Sequence, residues 1–167
     1  NSAADTAYDV ANSCRFNDGD SPHMAKDQGT PSSTRIYTIS FWFKVGSLAT
    51  DHTMFSYGAD GDSNYSDTFI NHANDGTCFR TIIDNANGYN LITNRTFRDP
   101  SAWYHAVVAV DTTQGTAANR VKVYINGVQE TSFSVANYPA EDFDVPSMAS
   151  GKEIGIGCRI NGNSRYF

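Results

Sequence analysis

Apolar and polar residues alternate with a period of two along much of this chain, whereas the 3.6-residue apolar period of a helix is not sustained over three turns anywhere. A period of two is typical of β-strands that bury one face. The clearest example lies around residue 40. One face of that strand is predicted to carry Tyr37, Ile39, Phe41, Phe43 and Val45, and the other Ser40, Trp42 and Lys44.

Three later segments extend the pattern. Val121, Val123 and Ile125 are predicted to face the core, and so are Ile154, Ile156, Cys158 and Ile160. Glycines at 155 and 157 predict close backbone approach or a bulge in the last strand. The run 103–110 is apolar on both faces, which predicts a central strand covered on each side.

Turn residues separate these runs. Asn126-Gly127 predicts a tight hairpin, since both residues accept positive φ. The segment 137–151 is predicted to be a long surface loop, and short helical turns are expected at 3–9 or 98–102. The predicted strands are 13–17, 22–25, 35–46, 51–58, 67–73, 76–84, 89–96, 103–111, 120–126, 128–134 and 153–160. Many short strands joined by turns predict an all-β antiparallel sandwich forming one domain over 1–167.

The net charge of the chain limits the classes of partner that it is expected to bind. The formal net charge is −6, which argues against nucleic acid as the main partner and fits either cation binding or solubility. No apolar run approaches the roughly 18 residues needed to cross a bilayer.

Three cysteines, Cys14, Cys78 and Cys158, leave at least one unpaired. Each lies in a strand-like stretch, so buried thiols acting as small apolar groups are expected. A Cys14–Cys158 bridge is the alternative. Metal binding by cysteine is not expected, because no CxxC or Cys/His spacing is present.

Four segments resemble laminin G-like and pentraxin-like domains of the concanavalin A-like superfamily. They are 38–44 (TISFWFK), 53–58 (TMFSYG), 103–111 (WYHAVVAVD) and 121–128 (VKVYINGV). The resemblance implies a two-sheet jelly roll. Members usually continue, after an element like that at 165–167, with one more strand, so the domain is expected to lack its final C-terminal strand.

A closer resemblance is to laminin G-like domains in structural proteins of tailed bacteriophages. It lies in 12–21 (NSCRFNDGDS), 97–105 (FRDPSAWYH), 110–114 (VDTTQ) and 119–122 (NRVK). This resemblance implies a non-catalytic virion decoration or fibre module, located on the virion surface and in contact with host glycans or other virion subunits. The alternatives are a secreted or cell-surface lectin and an ancillary domain of a secreted glycan-active enzyme.

Catalysis is not expected. Glucanases of the superfamily carry a Glu-x-Asp-x-x-Glu strand, whereas the nearest analogue here, from Glu153, has glycine at 155 and 157. No Gly-x-Ser-x-Gly elbow is present. His105, beside Trp103 and Tyr104, is predicted to be a packed or hydrogen-bonded structural residue rather than a base.

Calcium is the one cofactor considered. Asp60, Asp62 and Asn64 have the spacing of oxygen ligands, but Tyr65 and Asn71 replace the glycine and glutamate of an EF-hand loop. These residues could form a site at a loop end, and Asp18 with Asp20 could form a second. Asx-turn roles are the alternative for the residues of both candidate sites.

Glycan binding needs exposed aromatic rings with amide or carboxylate partners. The residues predicted for this role lie close to loops: Tyr57, Asn64, Tyr65, Tyr89, Asn90 and Tyr138.

Overall fold

The computed structural model describes residues 23–46, 48, 51–58, 66–71, 77–83 and 88–160. The strand predicted at 13–17 and the helical turn predicted at 3–9 lie outside these residues. The described strands are β1 (Met24–Asp27), β2 (Ile36–Phe43), β3 (His52–Gly58), β4 (Ser66–Asn71), β5 (Cys78–Ile83), β6 (Asn90–Thr96), β7 (Tyr104–Asp111), β8 (Val121–Ile125), β9 (Val128–Gln129), β10 (Phe133–Asn137) and β11 (Glu153–Ile156). A four-residue helix, α1 (Ala117–Arg120), precedes β8, and a 3₁₀ turn spans Pro146–Met148.

The strands form two antiparallel sheets. One has seven strands in the order β1-β11-β3-β4-β5-β6-β10, and the other has four in the order β2-β7-β8-β9. The predicted jelly-roll sandwich is thereby confirmed. The described residues contain no helix long and apolar enough to cross a membrane.

The predicted alternation sets the inner face of the four-stranded sheet. On β2, Ile39 and Phe43 are buried while Trp42 between them is 65% exposed. The three inner residues predicted on β8 are also buried, at Val121, Val123 and Ile125. Because neighbouring strand residues point to opposite faces, the sequence pattern and the burial pattern agree.

An aromatic cluster joins the two sheets. The Phe43 ring of β2 lies 6.2 Å from that of Phe79 on β5, 5.6 Å from Phe97 and 5.4 Å from Tyr104 on β7, measured between ring centroids. Phe79 and Phe97 are completely buried. The core therefore lies between β2 and β7 on one side and β5 with β6 on the other.

The predicted cover on both faces of β7 is wrong. Its inner face is buried at Ala106, Val108 and Val110, but Val107 and Ala109 on the other face are only half-buried. The four-stranded sheet is the outermost layer there, among the residues that the structure describes. Small apolar side chains on that face are consistent with a sheet that is partly open to solvent.

The last strand departs from its predicted pattern from Ile156 onward. Ile154 pairs with Tyr57 and packs against the core, as predicted. Ile156 pairs with Phe55 but is 39% exposed, so the prediction that it faces the core is wrong. Cys158 and Ile160 are buried, as predicted, but on the outer side of the seven-stranded sheet. Gly157 takes a φ of 79°, and the segment after it lies against Ser56 and Gly155.

Hydrogen bonds from β3 hold this returning segment. The Ser56 hydroxyl donates to the Cys158 carbonyl at 2.9 Å and accepts from the Ile160 amide at 3.1 Å. Ile160 then lies so close to Gly155 that a Cβ there would be 2.7 Å from its side chain. The predicted close approach at Gly155 is confirmed.

Three further local predictions need correction. The strand predicted at 128–134 is two strands, β9 and β10, which belong to different sheets. The segment 98–102 is a turn closed by the Ala102 amide and the Asp99 carbonyl rather than a helix. The predicted surface loop 137–151 is only partly on the surface, since Val145 and Met148 enter the core.

Candidate functional site

The outer face of β2, β7, β8 and β9 carries exposed aromatic and polar side chains, and we call it the four-strand face. Strand register arranges them in rows across the sheet. One row joins Trp42, His105 and the hairpin residue Asn126, and the next joins Ser40, Val107, Tyr124 and Gln129. Neighbouring strands are about 4.8 Å apart, so each row spans roughly the length of a small oligosaccharide.

Trp42 is the most exposed of the large apolar side chains on this face. Its ring stacks on His105 with centroids 5.0 Å apart and an interplanar angle of 28°. The Nε2 atom of His105 hydrogen-bonds the Ser40 hydroxyl at 2.9 Å. The imidazole thus fixes the orientation of a tryptophan whose other face is open to solvent.

The hairpin holds His105 from the opposite side. The His105 amide donates to Oδ1 of Asn126 at 2.8 Å, and the Asn126 amide donates to the His105 carbonyl at 2.8 Å. Asn126 has a φ of 51° and Gly127 a φ of 78°, as a tight hairpin turn requires. The predicted Asn-Gly hairpin is confirmed, and it braces the residue on which Trp42 stacks.

The Ser40–His105 contact also has the form of a nucleophile beside a base. A working pair of that kind needs a third group to orient the histidine and stabilise its charge. Within the described ranges, no carboxylate hydrogen-bonds the imidazole, and the ring is packed against Trp42. His105 is packed and hydrogen-bonded, as predicted.

A groove of about 390 Å³ begins where the four-strand face ends at β2. Its walls are residues 39–43 of β2 and the following Lys44, together with Met54, Phe55, Trp103, Ile156 and Gly157. Lys44 and Ser40 are the polar side chains among them, so the groove is largely apolar. Trp42 belongs to both the groove and the four-strand face.

Two of the predicted glycan residues are buried in the core. Tyr57 and Tyr89 are 6% and 2% exposed. Tyr89 contacts the Thr81 hydroxyl at 3.1 Å, and Tyr57 packs edge-on to Tyr37 across the sheets. Burial raises the phenol pKa of both tyrosines. The expectation that these rings lie exposed beside loops is therefore wrong.

Two other predicted residues come together at the far edge of the seven-stranded sheet. Asn90 pairs with Asn137, the neighbour of Tyr138, and both Asn90 and Tyr138 are half-buried. Oδ1 of Asn90 accepts a hydrogen bond from Nε of Arg80 at 2.9 Å. Tyr138 packs against the core, and the side-chain oxygen of Asn90 is already hydrogen-bonded to Arg80.

The remaining predicted site residues lie outside the described residues. They are the glycan residue Tyr65, the calcium residues Asp18, Asp20, Asp60 and Asp62, and Asn64, which was predicted for both roles. Cys14 lies outside as well, while Cys158 is a buried free thiol. Burial and the nearby Asp67 carboxylate raise the pKa of that thiol.

Sequence reasoning assigned no binding role to Trp42, although a signal was present. A tryptophan at an outward position of a strand leaves a large apolar ring in water, and such a ring is a common mark of a binding surface. A buried ion pair was also missed: Nε of Arg159 lies 3.0 Å from Oδ2 of Asp67 on the outer side of the seven-stranded sheet. These two residues are far apart in sequence, so only the fold-back of the chain brings them together.

The architecture and the exposed aromatic row define a lectin-type β-sandwich. A laminin G family model described as concanavalin A-like lectin/glucanases superfamily matches residues 17–167, and the chain belongs to this superfamily. No curated protein sequence matches the chain.

Solved structures agree on the fold. The CBM40 of Ruminococcus gnavus IT-sialidase, bound to α2,3-sialyllactose, superposes with a TM-score of 0.57 at 15% identity, over 81% of this chain and 70% of that one. The heptameric SAP-like pentraxin of Limulus polyphemus superposes with a TM-score of 0.56 at 15% identity, over 86% of this chain and 60% of the pentraxin chain. Domains LG4-5 of the mouse laminin α1 chain superpose with a TM-score of 0.53 at 11% identity, over 82% of this chain and 32% of the laminin chain.

Proposed function

We propose that this domain is a non-catalytic glycan-binding module and that it binds through the four-strand face. The observation that carries the proposal is the 65% exposed Trp42 ring, held in place by His105, Ser40 and the Asn126 hairpin. Sugar rings present C–H groups on one face and hydroxyls at their edges. They fit a flat aromatic ring bordered by hydroxyl, amide and amine groups.

The neighbours of Trp42 supply such polar groups. The Tyr124 hydroxyl and the Gln129 amide belong to the adjacent row, and Lys122 follows one row further. Donors and acceptors at the rim orient a ligand, while the aromatic ring contributes most of the apolar contact. The sialyllactose-bound CBM40 shares the fold and supports a glycan ligand for this type of sandwich.

The test is glycan-array screening followed by calorimetric titration of the best-binding glycan. We expect Trp42→Ala to weaken the affinity about tenfold or more, since exposed aromatic anchors carry much of the binding energy at such sites. Ile36→Ala is the matched control, because Ile36 is 54% exposed on the same face, about 20 Å along β2. Its affinity should stay within about twofold of the wild type. Equal losses in the two variants, or no glycan binding by the wild type, would contradict the proposal.

Calcium binding at Asp60, Asp62 and Asn64, or at Asp18 and Asp20, remains a prediction. The same titration with and without EGTA tests it. We expect chelation to weaken glycan binding if a loop-end calcium orients the ligand. Unchanged binding, together with no heat from millimolar calcium, would exclude both sites.

We propose further that the module is displayed on a virion, where it contacts host glycans or neighbouring subunits. The support is the resemblance of 97–105 and 119–122 to phage structural proteins. Detection of the chain in purified particles would support this location. A chain found only in secreted or cell-surface fractions would favour the free lectin or the enzyme-associated domain instead.

A further inference from the structure

The apolar groove at β2 differs in chemistry from the polar rows of the four-strand face, but it shares Trp42 with them. The chain has two tryptophans, and both line this groove. Trp42 is 65% exposed and Trp103 is 62% exposed. Large apolar rings that stay in water beside a concave surface are a common mark of a binding site.

The deeper part of the groove is formed by side chains of the core. Ile39 and Phe43 of β2 and Met54 of β3 belong to the hydrophobic core, and Phe41 and Phe55 pack against it. All five also line the groove. Because β2 and β3 belong to different sheets, the groove is an opening between the sheets. Its volume of about 390 Å³ lies within the range of small-molecule sites.

The groove has few partners for a polar ligand. Besides the two indole nitrogens, the polar groups of its described lining side chains belong to Ser40 and Lys44. The Ser40 hydroxyl already hydrogen-bonds Nε2 of His105, and the Lys44 charge interacts with the Asp99 carboxylate. A sugar ring placed between the sheets would leave buried hydroxyls without partners, which is unfavourable. An uncharged apolar group fits this lining.

The stacking of Trp42 on His105 directs its open face toward the groove. His105 lies on β7 and covers the face of the indole that is turned to that strand. The opposite face is turned away from β7, toward the side of β2 where the groove lies. Trp42 therefore stands between the polar rows of the four-strand face and the apolar groove.

We propose that the groove binds the acyl or alkyl chain of a glycolipid whose sugar lies on the four-strand face. This inference rests on the proposed glycan function and names the class of glycan, which is one that carries an apolar chain. Trp42 contacts both parts of the ligand, and the chain enters between the sheets beside Phe55 and Ile156. Burial of the chain removes apolar surface of both partners from water, which favours binding.

Tryptophan fluorescence titrations with methyl, hexyl and octyl β-D-glucoside, all below the concentration at which micelles form, test the proposal. Because both tryptophans line the groove, a change in their emission reports binding there. The glucose unit is the same in all three probes, so a difference in affinity reports the chain. We expect the octyl glucoside to bind at least about tenfold more tightly than the methyl glucoside, since each buried methylene adds to the affinity. The hexyl glucoside should lie between them.

Two substitutions in the groove sharpen the test. Ile156 is 39% exposed and lines the groove, so Ile156→Ser should lower the ratio of octyl to methyl affinity at least about threefold. Trp103→Ala should lower it as well, while Trp42 still reports binding. Val128→Ser is the matched control, because Val128 is 62% exposed on β9, away from the groove, and should keep the wild-type ratio. Thermal unfolding shows whether each variant stays folded.

Equal affinities for the three glucosides would overturn the proposal, and so would equal ratios in the groove variants and the Val128→Ser control. A ratio that falls as the protein concentration rises would also overturn it, because it would assign the groove to a second copy of the chain. The array that tests the proposed function uses glycans without an apolar chain. Binding on that array together with equal glucoside affinities would therefore remove the glycolipid proposal alone. An octyl gain without any glycan binding would overturn the glycan function, and the glycolipid assignment with it.

Discussion

Arg35 shows how a single side chain secures a long connection to the sandwich. Its Nε and one terminal nitrogen donate to the two carboxylate oxygens of Asp144, at 2.8 and 2.9 Å, and its other terminal nitrogen donates to Asp142 at 3.2 Å. Thr34 adds a hydrogen bond to Asp144 at 2.7 Å. These contacts stabilise the carboxylate form and lower the pKa of Asp144 from 3.8 to about 2.

The lowered pKa of Asp144 predicts a pH dependence of stability. The folded carboxyl binds its proton less readily than the unfolded one, so its contribution is present above about pH 4 and is lost as the pH falls toward 2. We expect the stability difference between the wild type and Asp144→Asn to be largest at neutral pH and to shrink between about pH 4 and 2. Urea unfolding at a series of pH values measures it. A difference independent of pH would show that the Arg35 contact does not stabilise the charged form.

The β8–β9 hairpin is the element that links a local sequence signal to the proposed site. Asn126 contributes to the hairpin in two ways. Its backbone adopts the positive φ of the turn, and its side-chain oxygen accepts a hydrogen bond from the His105 amide. Glycine at 126 would keep the first role and lose the second, while alanine would lose both.

Because these two roles of Asn126 can be removed separately, its glycine and alanine variants are predicted to differ in stability. Asn126→Gly should lower the free energy of unfolding by about 1 kcal/mol, the usual net value of one hydrogen bond. Asn126→Ala should lower it by about 2 kcal/mol, because strain at positive φ is added. Urea unfolding of the two variants measures the difference. If alanine were no worse than glycine, the turn would not depend on positive φ at this position.

The two sheets of the whole molecule are joined through aromatic side chains, of which Phe43 has the widest contacts. Its ring meets one residue of β5, one of β7 and Phe97. The adjacent Trp42 points the other way and is largely exposed.

Substitution of these two neighbours should have opposite effects. Phe43→Ala should lower the free energy of unfolding by about 3–5 kcal/mol, because it opens a cavity between the sheets. Trp42→Ala should change it by less than about 1 kcal/mol while weakening glycan binding. Thermal unfolding and glycan titration on the same two proteins measure both effects. Comparable destabilisation by the two substitutions would contradict the assignment of faces on β2.

The sequence by itself determined the strand class, the inner faces of β2 and β8 and the Asn126-Gly127 hairpin. Each of these rests on neighbouring residues, because strand geometry alternates side chains and two residues define a tight turn. The resemblance in 103–111 and 121–128 added the jelly roll, which the two sheets confirmed.

Only the tertiary structure decided what depends on contacts between distant segments. It placed Tyr57 and Tyr89 in the core rather than at the surface, and it placed β9 and β10 in different sheets. It also turned 157–160 over the seven-stranded sheet, where Arg159 meets Asp67. A residue's exposure depends on what another part of the chain lays over it, and alternation along one strand carries no information about that. For the same reason, Trp42 could be recognised as a binding residue only from the structure, which shows its ring exposed and stacked on His105, whose amide donates to Asn126.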